Sequence, residues 1–193
     1  MSISYLLRRS GIFLALVRLP FRIMKRIGNK INTWWWKLHV LRLGRNSLVE
    51  MGVSIENPRQ VAVGENCLIC RDATLVSETI DGNLCLEDRV QINRGVKIDH
   101  TGGVLIREHS LISEGATIYS HTHGTDPHSI PKGIPKTIGP KVWIGAHALI
   151  MENCSSIGEG SVVAAASVVT KSIDPHVVVA GNPARVIRRL GND

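Results

Sequence analysis

The sequence predicts an all-β solenoid, a triangular prism of short parallel strands, preceded by a basic helical arm and interrupted by one long loop. The main observation is a hexapeptide repeat: an aliphatic residue returns every six positions and a small or branched residue follows four later, as in Ile138 with Val142 and Ile144 with Ala148. The second is an N-terminal segment without acidic residues. The third is a gap in the repeat between Ile118 and Ile138.

The repeat also covers the middle of the chain. Its aliphatic and small positions are Val63 with Cys67, Ile69 with Ala73, Leu86 with Val90, Ile92 with Val96, Ile106 with Ser110, and Ile112 with Ala116. A period of six fits neither a helix, with 3.6, nor a plain strand, with two. Three units form one coil, and coils must stack because a single coil cannot bury its apolar face. We assign the prism to residues 49–193, with the loop at 119–137 and a C-terminal tail at 174–193.

Residues 1–48 form the predicted arm. Ten of the 23 lysines and arginines and none of the 16 acidic residues lie before residue 50, so the formal charge of +7 belongs to this segment. Apolar residues alternate with these charges, which indicates an amphipathic helix broken near Pro20. The side chains concerned are Leu6, Leu7, Ile12, Phe13, Leu14, Leu16, Val17, Leu19, Phe21, Ile23, Met24, Ile27, Trp34, Trp35 and Trp36.

Two interpretations of the arm stay open. Residues 1–45 could lie on an anionic membrane surface, which suits basic helices with indole side chains, or they could pack on the prism or on a neighbouring subunit. The longest uncharged apolar stretch, 11–17, is too short to span a bilayer. No cleavage site of a secretory signal follows it, and no nucleic-acid-binding motif accompanies the charge, so we expect no nucleic-acid partner.

The four cysteines predict neither a disulfide framework nor a metal site. They are Cys67, Cys70, Cys85 and Cys154, and the pair Cys67-x-x-Cys70 lacks the second pair that a zinc site needs. We interpret all four as reduced packing residues of a cytoplasmic protein, with no metal cofactor.

Polar residues gather where the repeat breaks. The long gap contains His121, His123, His128 and Asp126. A shorter break follows Ile98, where the next aliphatic position comes after eight residues instead of six. Because the two breaks fall on neighbouring coils, their side chains could converge. Histidine is the natural general base near neutral pH.

From Ile92 to its end, the chain resembles the left-handed β-helix acyltransferases that use acetyl-CoA, a group that contains galactoside, maltose and serine acetyltransferases and bacterial polysaccharide O-acetyltransferases. Three blocks carry the resemblance: Val142-Trp143-Ile144-Gly145-Ala146, Val168-Val169-Thr170-Lys171 and Ala180-Gly181-Asn182-Pro183-Ala184-Arg185-Val186-Ile187. The resemblance implies a left-handed parallel β-helix, acetyl-CoA as co-substrate and a homotrimer with active sites between prisms.

The resemblance also implies roles for particular residues. It puts the catalytic base on His123, with His100 as the rival and His121 as a third candidate. His100 lies in Asp99-His100-Thr101-Gly102-Gly103, which is similar to the block that holds the base of serine acetyltransferases. The backbone N–H of Ala146 would stabilise the oxyanion. The acceptor would meet Asn93, Asp99, Asp126 and Trp143, and CoA would meet Ala146, Ala165, Thr170, Lys171, Arg185 and Arg188.

Three departures bear on the function. Ile150 and Ile157 are seven residues apart, which predicts a bulged corner. Ala164-Ala165-Ala166 replaces the usual Gly-Ala-Gly, which requires backbone angles that are not glycine-like. The N-terminal segment that completes the sugar pocket in galactoside and maltose acetyltransferases has no visible counterpart here. We therefore expect that the acceptor is not a small free sugar.

We therefore expect an O-acetyltransferase for a sugar of a bacterial surface polysaccharide (capsule, O-antigen or exopolysaccharide) or its lipid-linked precursor, at the cytoplasmic face of the membrane. Three alternatives stay open. They are a serine-acetyltransferase-like enzyme using His100, a metal-dependent protein of the γ-carbonic anhydrase kind using His100, His121 and His123, and a non-catalytic solenoid.

Overall fold

The computed structural model describes residues 3–191, with side chains from residue 18 onward. The helix α1 (Ile3–His39) continues through Pro20, so the predicted break there is wrong. It is followed by short strands, with a 3₁₀ turn at Pro58–Gln60. In chain order the strands are β1 (Arg42–Leu43), β2 (Leu48–Val49), β3 (Ser54–Ile55), β4 (Val61–Val63), β5 (Leu68–Ile69), β6 (Thr74–Val76), β7 (Leu84–Leu86), β8 (Gln91–Ile92), β9 (Lys97–Asp99), β10 (Val104–Ile106), β11 (Leu111–Ile112), β12 (Thr117–Ile118), β13 (His121–Thr122), β14 (Lys132–Gly133), β15 (Lys136–Ile138), β16 (Trp143–Ile144), β17 (Leu149–Ile150), β18 (Ser156–Ile157), β19 (Val162–Val163), β20 (Val168–Val169), β21 (Val177–Gly181) and β22 (Ala184–Arg189).

The strands form the three walls of a prism, and the predicted left-handed parallel β-helix is confirmed. Wall A has the order β1-β4-β7-β10-β15-β18, wall B the order β2-β5-β8-β11-β16-β19-β21-β22, and wall C the order β3-β6-β9-β12-β17-β20. Successive coils stack in register, so that Ile112 is level with Ile92 below and Ile144 above. These aliphatic side chains are fully buried and form one continuous core, whose burial stabilises the solenoid.

The first coil begins at Arg42, within the segment that the sequence assigns to the arm. Leu43, Val49 and Ile55 are six residues apart and stack below Val63, Ile69 and Leu75. The basic side chains of this coil, Arg42 and Arg45, are exposed. Arg45 pairs with Glu65 at 3.0 Å. The predicted alternation of Leu6, Leu7, Ile12, Phe13, Leu14, Leu16 and Val17 with Arg8 and Arg9 concerns side chains outside the described residues.

Polar side chains of α1 cover the open edge of wall B. The Asn32 amide donates to the carbonyl oxygens of Val49 and Glu50 at 3.1 and 3.0 Å. The Thr33 hydroxyl contacts both backbone groups of Val49, and Asn29 accepts from the Met51 N–H at 3.1 Å. Lys25 pairs with Glu50 at 3.2 Å. The helix therefore satisfies backbone groups that an edge strand would leave unpaired.

The opposite end of the prism is closed by the antiparallel hairpin of β21 and β22, which lies in the predicted tail. Its turn contains the cis peptide Asn182–Pro183. All four cysteines are unpaired, Cys67 and Cys154 are buried, and burial raises the pKa of each thiol.

Every long interruption of the repeat falls at one edge of the prism, where the chain passes from wall C to wall A. We call this the insertion edge: residues 77–83, 99–103, 119–135 and 151–155. The buried positions across it are 11 residues apart from Leu75 to Leu86 and 20 apart from Ile118 to Ile138, whereas the other two edges keep a spacing of six. The predicted loop and the predicted bulge therefore share one edge.

Lys136 lies inside this edge and is 2% exposed. Its ammonium group donates to the carbonyl oxygens of Met151, at 3.0 Å, and Cys154. These carbonyls belong to the seven-residue corner, where the extra residue removes them from the regular ladder. Burial lowers the pKa of Lys136, although the neighbouring acidic groups and Cys154 act in the opposite direction.

We expect Lys136→Met to lower the free energy of unfolding by about 2–3 kcal/mol, because methionine fills the space but leaves two buried carbonyls without a donor. Urea denaturation at fixed protein concentration measures the change. Lys141→Met is the control, because Lys141 is exposed and its pair with Glu159 is long, at 3.7 Å. Equal stability of the two variants would contradict a structural role for the Lys136 ammonium group.

Candidate functional site

Stacking at the insertion edge brings together polar residues that are distant in sequence. Val76 is level with Asp99, and Ile98 is level with Ile118, so the residues that leave wall C on three successive coils lie above one another. Neighbouring strands are about 4.8 Å apart, which is within reach of side-chain contacts. Glu78, Asp99 and His121 meet in this way.

The Asp99 carboxylate is buried and fully hydrogen-bonded. Oδ1 accepts from the N–H and hydroxyl of Thr101, and Oδ2 accepts from the Ser120 N–H at 2.7 Å. Burial alone would raise the pKa of Asp99. The hydrogen bonds from Thr101, Ser120 and His121 outweigh this effect and hold the pKa below its ordinary value. Asp99 is therefore a fixed negative charge inside the edge.

His121 is oriented by this carboxylate. Its Nδ1 lies 2.7 Å from Asp99 Oδ2, its side chain is 11% exposed, and its backbone is paired with Gly133 in the ladder of β13 and β14. Because an ionised carboxylate only accepts, Nδ1 carries the hydrogen and Nε2 of the neutral imidazole keeps its lone pair. Nε2 points to Glu78 Oε1 at 3.4 Å.

His123 lies beside His121, farther out on the same loop. Its Nδ1 donates to the carbonyl oxygen of Ser129 at 2.7 Å, and its Nε2 is 3.1 Å from Glu78 Oε2. The two imidazole rings meet edge to face with centroids 5.0 Å apart. His123 is more exposed, at 27%, and its orienting partner is a neutral carbonyl group of the loop itself.

The base of the loop is held by close backbone packing. Gly102 lies against the backbone of Ser120 and Ile134, where an added Cβ would overlap both. The Ile134 N–H donates to the Ser120 carbonyl at 2.7 Å, and the Ser120 hydroxyl accepts from the Gly102 N–H at 2.9 Å. His121 therefore projects from a rigid part of the insertion edge.

His100, the rival base of the sequence analysis, is fully buried. Its Nδ1 donates to the Gly82 carbonyl at 3.0 Å, and its Nε2 has no partner in the described structure. Burial lowers the pKa of His100 and keeps the ring neutral, against weaker opposing contributions from Gly82 and Asp99. Within one chain it cannot reach an acceptor hydroxyl, and it does not join His121 and His123 in a three-histidine cluster.

Several other predicted residues lie on a different edge, between walls B and C, which we call the hexad edge. It carries Asn93, Ser113, Ala146 and Ala165, with Trp143 on wall B beside it; the Trp143 indole donates to the Ser113 hydroxyl at 2.9 Å. Among the backbone hydrogen bonds of residues 3–191, the N–H groups of Ala146 and Ala165 have no acceptor. Five residues of wall C separate the two edges, roughly 16 Å. The predicted oxyanion donor and the histidines are therefore far apart in one chain.

The remaining residues predicted for CoA lie near the hairpin end of the prism, with Lys171 just after β20 and both arginines on β22. Thr170, Lys171 and Arg185 line one cavity of about 310 Å³ between the last coil and the hairpin. Arg188 is exposed on β22 and does not line it. Asp126 is exposed, and its carboxylate accepts from the His128 N–H at 2.9 Å, so it shapes the loop tip.

The three alanines that replace the glycine-containing block differ in backbone conformation. Ala166 has φ of 56°, in the left-handed region, whereas Ala164 and Ala165 do not. The expectation that these alanines avoid glycine-like backbone angles is therefore wrong at Ala166. An alanine there costs about 1–2 kcal/mol relative to its preferred conformation, and the stacked coils hold it in place.

Glu78 is the residue of this site that the sequence analysis missed. It belongs to no motif, and it lies in the short insertion between β6 and β7. The spacing of 11 between Leu75 and Leu86 is the signal that could have placed it on the same edge as His121.

Comparison with known proteins places the chain among the acetyltransferases. It is 31% identical over 148 residues to a Staphylococcus aureus (strain MRSA252) protein named as an acetyltransferase, covering 72% of this chain and 74% of that protein. The galactoside O-acetyltransferase of Escherichia coli K12 is 33% identical over 150 residues, 78% of this chain and 64% of the relative. An E. coli K12 protein named as the lipopolysaccharide biosynthesis O-acetyl transferase WbbJ is 33% identical over 125 residues, 58% of this chain and 63% of the relative. The chain thus spans less than two thirds of the length of these two E. coli relatives.

Among solved structures, the fold matches AntD, an N-acyltransferase from Bacillus cereus in complex with dTDP and 3-hydroxybutyryl-CoA. The TM-score is 0.70 at 25% identity, and the match covers 83% of this chain and 88% of that chain. No family model matches the sequence.

Proposed function

Because the chain belongs to the hexapeptide-repeat acetyltransferase family, we propose that it transfers an acetyl group from acetyl-CoA to a hydroxyl of a sugar, with His121 as general base. The acceptor class that we propose is a bacterial surface polysaccharide or its lipid-linked precursor, which the relative named for lipopolysaccharide biosynthesis supports. The pair of Asp99 and His121 carries the proposal, because a buried carboxylate fixes the tautomer that a base requires.

The reaction follows from this tautomer. His121 Nε2 takes the proton of the acceptor hydroxyl as its oxygen attacks the thioester carbonyl carbon, which becomes a tetrahedral oxyanion. The oxyanion collapses by breaking the carbon–sulfur bond, and the imidazolium returns its proton to the leaving sulfur. The products are the acetyl ester and CoA. Asp99 stabilises the transient imidazolium and does not itself change protonation.

The complete site needs a second copy of the chain. His121 lies on the insertion edge, whereas the unpaired N–H groups of Ala146 and Ala165, with Asn93 and Trp143, lie on the hexad edge of the same prism. We propose a cyclic homotrimer in which the insertion edge of one prism faces the hexad edge of the next. The Ala146 N–H of one chain would then stabilise the oxyanion formed beside His121 of its neighbour. Lys171 and Arg185 would meet the CoA phosphates.

The activity is tested with purified protein, acetyl-CoA and a panel of free glycans, lipid-linked oligosaccharides and nucleotide sugars. Nucleotide sugars are included because AntD was solved with dTDP. We expect release of the CoA thiol to depend on one acceptor class and mass spectrometry to find an acetyl ester on it. Absence of any acetylated acceptor across the panel would contradict the proposal.

The arm supports a second part of the proposal, contact with an anionic membrane at the cytoplasmic face. Within residues 3–191, no helix has both the length and the apolarity needed to cross a bilayer. The polar side of α1 faces the prism, so its apolar side faces solvent and carries Ile23, Ile27, Ile31, Trp34 and Leu38, which are 48–62% exposed. Arg26, Lys30 and Lys37 follow one border of this face by helical spacing. An interfacial helix has this distribution.

We expect the double variant Ile27→Asp/Trp34→Asp to lose flotation with vesicles that contain anionic lipid, because two exposed apolar side chains that would enter the lipid surface are replaced by charges that the lipid repels. Point variants are preferable to deletion because α1 also covers the edge of wall B. Ile80→Asp, at an exposed position on the prism, is the control. Unchanged flotation of the double variant, or flotation of neither wild type nor control, would contradict membrane contact.

A further inference from the structure

We propose that Glu78, His121 and His123 form a zinc-binding site, and that Zn²⁺ bound there blocks acetyl transfer. The three residues offer one carboxylate oxygen and two imidazole nitrogens, and these ligand atoms all lie within 4.8 Å of one another. Two histidines and one carboxylate are a common zinc ligand set that leaves a fourth position open. Zinc binding itself is independent of the transferase reaction, whereas the inhibitory consequence rests on the proposed function.

The first argument is the orientation of the two rings. The Nδ1–H of His121 is held by Asp99 Oδ2, and the Nδ1–H of His123 is held by the Ser129 carbonyl, both at 2.7 Å. Histidines that bind metals usually donate their other ring N–H to a carboxylate or a backbone carbonyl. Both rings therefore direct an Nε2 lone pair toward the same point in front of Glu78.

The second argument is the spacing of the ligand atoms. Zinc binds nitrogen and oxygen at about 2.0–2.2 Å, so ligands at the corners of a tetrahedron stand about 3.3 Å apart. The Glu78 oxygens lie 3.4 Å from His121 Nε2 and 3.1 Å from His123 Nε2. The side chain of Glu78 is 51% exposed and can adjust to bring one oxygen between the rings.

The third argument is charge. Two Nε2 lone pairs and a carboxylate converge at this point, and they repel one another unless a proton or a metal cation lies between them. In the described part of the chain, Glu78 pairs with His121 and His123. Asp99 pairs with His121, and the buried Lys136 ammonium acts on Asp99 electrostatically from farther away. A divalent cation would satisfy all three ligands and would also offset the negative charge of Asp99 behind His121.

Occupation of this site would remove the proposed base. A zinc ion bound to His121 Nε2 takes the lone pair that must accept the proton of the acceptor hydroxyl. The exposed side chain of Glu78 and the partly exposed ring of His123 give a cation direct access from solvent. Free zinc would therefore act as a reversible inhibitor of the metal-free enzyme.

The test begins with tag-free, full-length protein from which metal has been removed by chelation. Calorimetric titration with ZnCl₂ should find one Zn²⁺ per chain, and Co²⁺ in its place should give the visible absorption of a four-coordinate site. Glu78→Gln and His123→Ala should each weaken zinc binding at least about 10-fold. His128→Ala is the matched control, because it removes a histidine of the same loop outside the cluster. Circular dichroism checks that the variants remain folded.

The outcomes separate the two proposals. Zinc binding that is absent, or equal in wild type and Glu78→Gln, overturns the site whatever the activity of the metal-free enzyme. Inhibition is followed by the mass of the acetylated acceptor, because the released CoA thiol itself binds zinc. Stoichiometric zinc binding with no loss of transfer would overturn the inhibitory role. Inactivity of the metal-free enzyme would instead contradict the proposed function and leave the titration valid.

Discussion

Replacement of His121 by alanine is expected to lower kcat by about 10²- to 10⁴-fold, the usual contribution of a positioned general base. The affinity for acetyl-CoA should change little, because the cationic residues proposed for its phosphates lie near the hairpin end of the prism. Steady-state kinetics with the identified acceptor, together with direct measurement of acetyl-CoA binding, provide both quantities.

The same experiment distinguishes the two histidines. His123→Ala should reduce kcat less than His121→Ala does, because His123 is oriented by a loop carbonyl and is the more exposed ring. His128→Ala should leave kcat close to the wild-type value. If His123→Ala has the larger effect, the base is the residue that the family resemblance implies and the Asp99 pair has another role.

Asp99→Asn is expected to lower kcat by about 10²-fold, because the asparagine amide cannot replace both carboxylate oxygens. Oδ1 and Oδ2 each accept from donors, so the NH₂ group must face either Thr101 or the pair of Ser120 and His121. With the NH₂ group toward His121, the imidazole loses the acceptor that fixes its tautomer. With the NH₂ group toward Thr101, a neutral amide oxygen faces His121 and no longer stabilises the imidazolium as the carboxylate does. If Asp99 acts only through His121, Asp99→Asn should cause no further loss of kcat in the His121→Ala background.

The same substitution has a consequence for stability. The pKa of Asp99 is lower in the folded chain than the unfolded value of about 3.9, so the ionised carboxylate favours the folded state at neutral pH. This contribution is lost as pH falls through the folded-state pKa. The difference in unfolding free energy between wild type and Asp99→Asn should therefore shrink on acidification below about pH 4. Urea denaturation at several pH values measures it, and a constant difference would contradict the lowered pKa.

The prism could be predicted because its signal is periodic and its cause is simple. An aliphatic residue every six positions leaves no other way to bury the apolar face than stacked coils. The first coil is not evident from the sequence, because Leu43 lies between Arg42 and Arg45 in a segment that is rich in basic residues. The inward-facing Lys136 could not be foreseen either, because its partners are carbonyls freed by an extra residue on the next coil.

The position of the candidate site could be predicted from the sequence, whereas the contacts of its residues could not. The sequence located the loop and its histidines, but the choice among them depends on what each ring nitrogen contacts. Asp99 and His121 are 22 residues apart, and only the register of β9 with β12 makes them neighbours. The spacing of the repeat nevertheless contains a usable signal. Every spacing that differs from six follows a strand of wall C, including the one from Leu75 to Leu86 that contains Glu78. Counting departures from six would have identified the edge that carries Glu78, Asp99 and His121.

The asparagine and threonine side chains that α1 presents to β2 have one more consequence, which concerns assembly. A stack of coils has no intrinsic length, and the exposed rung Leu48–Val49 would offer its amides and carbonyls to the coil of any passing copy. Because Asn32 and Thr33 occupy the backbone groups of Val49, we expect that this rung does not template growth and that the protein forms particles of defined size instead of fibres.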